Sequence, residues 1–135
     1  MERVIQTLKQ DIPTLFEKEI SYNIYTNDIY FQDPISRFKG KFNYLIIFWT
    51  LRFHPRLFFT TIYFDIHDIS QTDKKVITAN WKVRSTLPVP WKAHVFFNGS
   101  SSYLLTKDGL SSNHLDTWDR KPSEILKQFF RRGLP

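Results

Sequence analysis

The sequence predicts an α+β domain in which N-terminal helices pack in the concavity of a curved, four-stranded antiparallel sheet. Three observations predict it. Apolar residues recur at three- and four-residue steps near the N-terminus and again over 41–53. Beyond Pro55 the period changes to two and holds until about Asp119. The 13 Phe, 6 Tyr and 4 Trp, against 4 Gly in 135 residues, supply enough apolar surface for one core, so residues 1–135 read as a single domain.

Val4, Ile5, Leu8, Ile12, Leu15 and Phe16 mark an amphipathic helix over 2–19, with Pro13 bending or splitting it. A short helix at 21–25 follows, and IYFQDP then alternates as a short strand closed by Pro34. From Lys41 to Phe53 the residues Phe42, Leu45, Ile46, Trp49 and Phe53 form one stripe, with Gly40 before it and His54-Pro55 expected to stop it. Tyr44, Ile47, Phe48 and Leu51 widen that stripe almost all round, which predicts a helix buried on more than one side.

Four strands are expected after it, over 57–69, 76–87, 91–105 and 110–118. SQTDKK is the first turn, LPVP carries two prolines that suggest a bulge or edge, and KDG is a tight hairpin. Ile77, Ala79, Trp81, Val83 and Leu87 share one face of the second strand. Pro122 opens a last helix whose stripe is Ile125, Leu126, Phe129 and Phe130. A curved sheet closed by helices leaves a cone, whose open end is a natural site for a small molecule.

Charge and composition remove several function classes. Residues 1–35 carry three basic and six acidic side chains, whereas 36–92 carry ten and three, within a net charge of +6. The basic side chains are separated by apolar positions and form no run of four, so nucleic acid is not the expected partner and a solvated basic face is. With no cysteine there is no disulfide, thiolate metal site or cysteine nucleophile, which suits a reducing compartment. No cofactor or metal is expected: the four histidines lack zinc spacing, and the four glycines are too scattered to make a phosphate loop.

The N-terminus reads as an amphipathic helix rather than a secretory signal, so a cytoplasmic location is expected, or the plastid stroma in a plastid-bearing source. The longest apolar stretch, 42–59, holds Arg52, His54, Pro55 and Arg56 and is not expected to span a membrane, though it could lie on a bilayer surface. Burial in the core or in a homodimer interface explains the same residues with fewer assumptions.

YNIYTNDIYFQDPISRFKG at 22–40 and DGLSSNHLDTWD at 108–119 resemble the helix-turn-strand and the last strand of the nuclear transport factor 2-like superfamily, with its SnoaL-like and ketosteroid-isomerase-like members. More narrowly, F-x-D-P with FKG, IFWTLRFHPRLFF and PVPW resemble an uncharacterised family of cyanobacteria and plant chloroplasts. The superfamily resemblance implies a cone-shaped pocket, frequent pairing through the sheet, and either ligand binding, protein interaction or isomerase, cyclase or dehydratase chemistry. In isomerase-like members the aspartate of the D-P pair is the general base, a role that falls here on Asp33. The tyrosine those members place in the first helix is missing; Phe16 is the only aromatic there.

His114 and Asp116 stand two apart on the last strand and share a face with Trp118, so with Asp33 they are the candidate catalytic groups of a polar floor. Equally, Asp33 can be a turn aspartate before Pro34, and His114 a structurally satisfied histidine. Tyr25, Trp49, Trp81, Trp91 and Trp118 are the candidate ligand-binding aromatics. The hydroxyls of NGSSS at 98–102 either line the same pocket or merely flank a bulge at Gly99. The expected function is binding of a small apolar or amphipathic ligand, with or without a role as a dimeric interaction module. Isomerase, cyclase or dehydratase activity with Asp33 as base is the alternative.

Overall fold

A computed structural model describes residues 1–14, 20–58, 61–86 and 93–128, and of 50–58 and 61–62 the backbone alone. Helix α1 covers Glu2–Asp11, with Glu2 in its first turn and Lys9 in its last, each at the end of the helix dipole that favours its charge. A 3₁₀ turn at Ile12–Thr14 follows, so the helical pattern changes at Pro13 as expected; Leu15 and Phe16 lie outside the described residues. A second 3₁₀ turn, Tyr22–Ile24, leads into β1, Tyr25–Gln32.

The remaining elements are β2 (Arg37–Lys39), α2 (Lys41–Phe58), β3 (Thr61–Asp73), β4 (Val76–Thr86), β5 (His94–Leu105), β6 (Ser111–Trp118) and α3 (Pro122–Gln128). They form one sheet in the order β2-β1-β6-β5-β4-β3. The expected four-strand antiparallel meander is β3 to β6, and two N-terminal strands extend it to six. β1 lies parallel to β6 and antiparallel to β2. LPVP and Trp91 lie outside the described residues.

Two helical expectations are corrected. α2 does not stop at His54-Pro55 but runs through the proline to Phe58, so the first of the four expected strands, read from Leu57, begins at Thr61 instead. Proline removes one intrahelical hydrogen bond, a local cost that this helix absorbs. The predicted stripe is also on the wrong side: Phe42 (73%), Ile46 (43%) and Trp49 (49%) are exposed, while Tyr44 and Phe48 are buried. A helix that is apolar nearly all round does not declare its inner face; the sheet chooses the one bearing Tyr44, whose hydroxyl finds a buried partner there.

Alternation places Ile77, Ala79, Trp81 and Val83 of β4 on the concave face, beside Ser101, Tyr103 and Leu105 of β5. Register then aligns Tyr103 with His114 and Ser101 with Asp116. On the far side of β6, Phe31 is opposite His114, but only after a bulge, since the β1–β6 pairing moves from Tyr25↔Ser111 directly to Tyr30↔Asn113. Tyr25, Ile29 and Phe31, an even number of residues apart, all face inward, whereas Asn27 between them is exposed. Val4, Ile5 and Leu8 of α1 and Tyr44 and Phe48 of α2 complete the core.

Gly40 connects β2 to α2 with φ at +105°, a conformation costly for other residues. Its N–H donates to Ile29 O at 2.9 Å and its carbonyl accepts the first helical bond from Tyr44 N–H at 3.0 Å, which fixes where Tyr44 enters the core. At the other end of the sheet, α3 sends the Gln128 side chain to Phe96: its Oε1 accepts the backbone N–H (2.7 Å) and its Nε2 donates to the carbonyl (2.9 Å). A side-chain amide thus continues the ladder where β6 has ended.

Candidate functional site

The helices leave a cavity of about 170 Å³ against the concave face of the sheet. Most of its wall is apolar, from Leu8, Ile12, Phe31, Phe48, Phe64 and Phe97 among others. Asp33, His114, Asp116, Tyr25, Trp81 and Trp118 also border it, so six of the eight candidate site residues meet at one void. Trp49 is not among the lining residues; it lies on the outer face of α2. Trp91 lies outside the described residues.

The polar end is a chain of hydrogen bonds crossing four elements, β4, β5, β6 and α2. Trp81 Nε1 donates to Ser101 Oγ at 2.9 Å, and Ser101 Oγ donates to Asp116 Oδ1 at 2.6 Å. His114 Nε2 lies 2.6 Å from the same oxygen, and its Nδ1 lies 2.7 Å from the Tyr44 hydroxyl. With Asp116 ionised, Nε2 carries the proton and donates; a neutral ring then accepts the Tyr44 proton at Nδ1. His114 is buried at 3% exposure, stacked on Tyr103 with ring centroids 4.3 Å apart and met edge-on by Phe31 at 4.9 Å. Such packing fixes the ring plane that the two short hydrogen bonds require.

Electrostatics at this end favour neutral phenols. Burial is the main reason that Tyr25, Tyr44 and Tyr103 hold their protons well above the usual tyrosine range, and the negative charge of Asp116 adds to it in all three. Contact with the Tyr44 hydroxyl partly offsets the effect on Tyr25. The result is a set of protonated phenols, Tyr25 beside Tyr44 and Tyr44 on His114, at the end of the cavity that holds Asp116.

Asp33 is held differently. Its Oδ1 accepts the backbone N–H groups of Ile35 (2.8 Å) and Ser36 (2.7 Å) and the Ser36 hydroxyl (3.2 Å), and its own N–H donates to Ser36 O at 2.9 Å. That is an Asx turn at the cavity rim. Asp11 also borders the cavity and went unrecognised in the sequence, where it reads as one more polar position at the end of an amphipathic helix. Burial pushes its carboxyl above the ordinary range, opposed by the Ser21 N–H and hydroxyl that donate to it. Tyr44 was legible only as part of a wide apolar stripe; the signal was a hydroxyl on the helix face that also carries Phe48.

No metal-holding group of His, Asp and Glu occurs among the described residues. Nor is any helix among them long and apolar enough to cross a membrane.

A sheet curved around helices with a cavity at its concave face is the nuclear transport factor 2-like fold. An NTF2-like protein of unknown function from Cytophaga hutchinsonii is similar over 87% of this chain and 98% of its own, with a TM-score of 0.66 at 13% identity. A candidate isomerase of the SnoaL-like family from Agrobacterium tumefaciens matches over 89% and 100%, with a TM-score of 0.60 at 15% identity. A candidate polyketide cyclase from Xanthomonas campestris pv. campestris matches over 93% and 96%, with a TM-score of 0.62 at 11% identity. Residues 2–114 match the family described as uncharacterized conserved protein (DUF2358), and the chain belongs to that family. No curated protein matches the sequence significantly.

Proposed function

We propose that the protein binds a small apolar or amphipathic molecule in the cavity between α1, α2 and the sheet. The observation that carries this reading is a void walled mainly by aromatic and aliphatic side chains, with a few polar groups gathered at one end. Tyr25, Trp81 and Trp118 supply aromatic wall, and His114 with Asp116 supplies the end that orients a polar group. Native mass spectrometry of protein purified from its source tests it: a retained mass released on denaturation is expected. Apoprotein that also fails to take up any small apolar compound would overturn the reading.

A second reading is isomerase, cyclase or dehydratase chemistry, favoured by the junction of the His114–Asp116 pair and Asp33 on one void. In it, Asp33 or the dyad removes a proton and the buried phenols steady the developing oxyanion. Turnover of a carbonyl compound that survives Trp49→Ala but is lost in Asp116→Asn would support it.

We also propose a homodimer. Phe42, Ile46 and Trp49 form an exposed apolar stripe on α2 that a second copy would cover. Sedimentation at micromolar concentration should show twice the 16.2 kDa chain mass, and a solely monomeric species would refute the dimer.

A further inference from the structure

Side-chain donors at the buried end of the cavity converge on one oxygen. Trp81 donates to Ser101, and Ser101 and His114 both donate to Asp116 Oδ1. The other carboxylate oxygen, Oδ2, accepts nothing from the described residues, and the side chain, 17% exposed, borders the cavity. An ionised carboxylate has about four lone-pair positions, so this end of the site has accepting capacity left over.

Charge points the same way. The cavity is bordered by three carboxylates, Asp11, Asp33 and Asp116, and by no Lys or Arg among the described residues. His114 is the one described lining group able to become cationic, and both of its nitrogens already have partners. An entering carboxylate or phosphate would therefore meet like charge and, among the described residues, no free cation. An ammonium or hydroxyl group would meet an open acceptor in a cavity whose wall carries aromatic rings, which themselves attract cations. The chain's net charge of +6 is thus a poor guide to its ligand, because the described charged residues that border the cavity are acidic.

We infer that the cavity selects small apolar molecules headed by a hydrogen-bond donor, in the order amine, then alcohol, with carboxylates and phosphates excluded. This inference rests on the reading of the cavity as a ligand site. A volume of about 170 Å³ suits a single aromatic ring with a short tail, since an apolar cavity of about 150 Å³ accommodates benzene.

Equilibrium dialysis of the full chain at pH 7 against 2-phenylethylamine, 2-phenylethanol, phenylacetate and ethylbenzene separates the two claims. The amine should bind at least about tenfold more tightly than phenylacetate, as a charge-assisted hydrogen bond implies, with the alcohol between them. Asp116→Asn should remove most of the amine's advantage over the alcohol, and an advantage kept in full would overturn the assignment to Asp116. Should that variant not fold, the ranking on the unaltered protein decides alone. Phenylacetate binding as tightly as the amine would overturn the charge selection and leave the binding site standing. Failure of ethylbenzene and of every headed compound to bind would instead overturn the cavity reading, and this inference with it.

Discussion

Asp33 and Asp116 are two aspartates on one cavity, and they spend their oxygens in opposite ways. Asp33 Oδ1 is occupied within three residues of itself, by two backbone N–H groups and a hydroxyl that shape its own turn. Asp116 Oδ1 is occupied by side chains of β5 and β6, and through His114 it is tied to Tyr44 on α2, 70 residues from that histidine in sequence. The first aspartate holds a loop; the second holds three elements in mutual position. Equal residue type and equal access to a cavity therefore do not imply equal chemistry, and the better candidate for handling a ligand's proton is the one whose partners are side chains able to pass it on.

That contrast makes the buried end the expensive one to disturb, and alkaline pH disturbs it most. Tyr25, Tyr44 and Tyr103 have folded-state pKa values raised above the unfolded value of 10.0, so the fold binds more protons than the unfolded chain above that pH. Stability is fully present below pH 10 and falls as pH rises beyond it, by about 1.4 kcal/mol per tyrosine per pH unit, or about 4 kcal/mol for the three. Absorbance titration at 295 nm should show these three phenols ionising only as the protein unfolds; early, reversible ionisation of all six tyrosines would break the comparison.

Next in size is His114→Leu, which strips Tyr44 of its acceptor and Asp116 of a donor. Losing both hydrogen bonds of the buried ring should cost about 3 kcal/mol in urea denaturation. Gly99→Ala tests the packing beside it. An added Cβ would stand 2.3 Å from Trp81 Cη2, and the indole cannot simply swing away because Ser101 holds its Nε1. A loss of about 1–3 kcal/mol is expected, with the cavity wall displaced. Smallest is Asp33→Ala, at about 1 kcal/mol, because the freed turn N–H groups reach water; Asp33→Asn should cost less, since the amide oxygen can replace the acceptor. A larger loss at Asp33 than at His114 would reverse the assignment of roles.

Much of this was legible where the signal is local. The switch from helical to alternating period marks the boundary between α2 and the meander to within a few residues, and the inward face of β4 follows from alternation alone. KDG makes its hairpin with Gly109 at φ +79°. What sequence could not supply was pairing between distant segments. β2 has three residues, too few to show a period, and β1 joins β6 in parallel through an irregular register that no local pattern marks. The face of α2 was misread for the same reason: its inner side is chosen by a partner on β6, not by anything within the helix. Likewise the pairing of Ser101 and Asp116 follows from strand register, which no motif announces.

The tryptophans allow the central claim to be tested inside one molecule, since Trp81 and Trp118 border the cavity while Trp49 sits on the outer face of α2. A titration with ethylbenzene, followed by the ¹H–¹⁵N signals of the indole groups, reads all of them at once. Saturable shifts at Trp81 and Trp118 with Trp49 unmoved are the predicted result. Shifts at Trp49 with Trp81 and Trp118 unchanged would contradict the account and move the binding surface to the outside of the molecule.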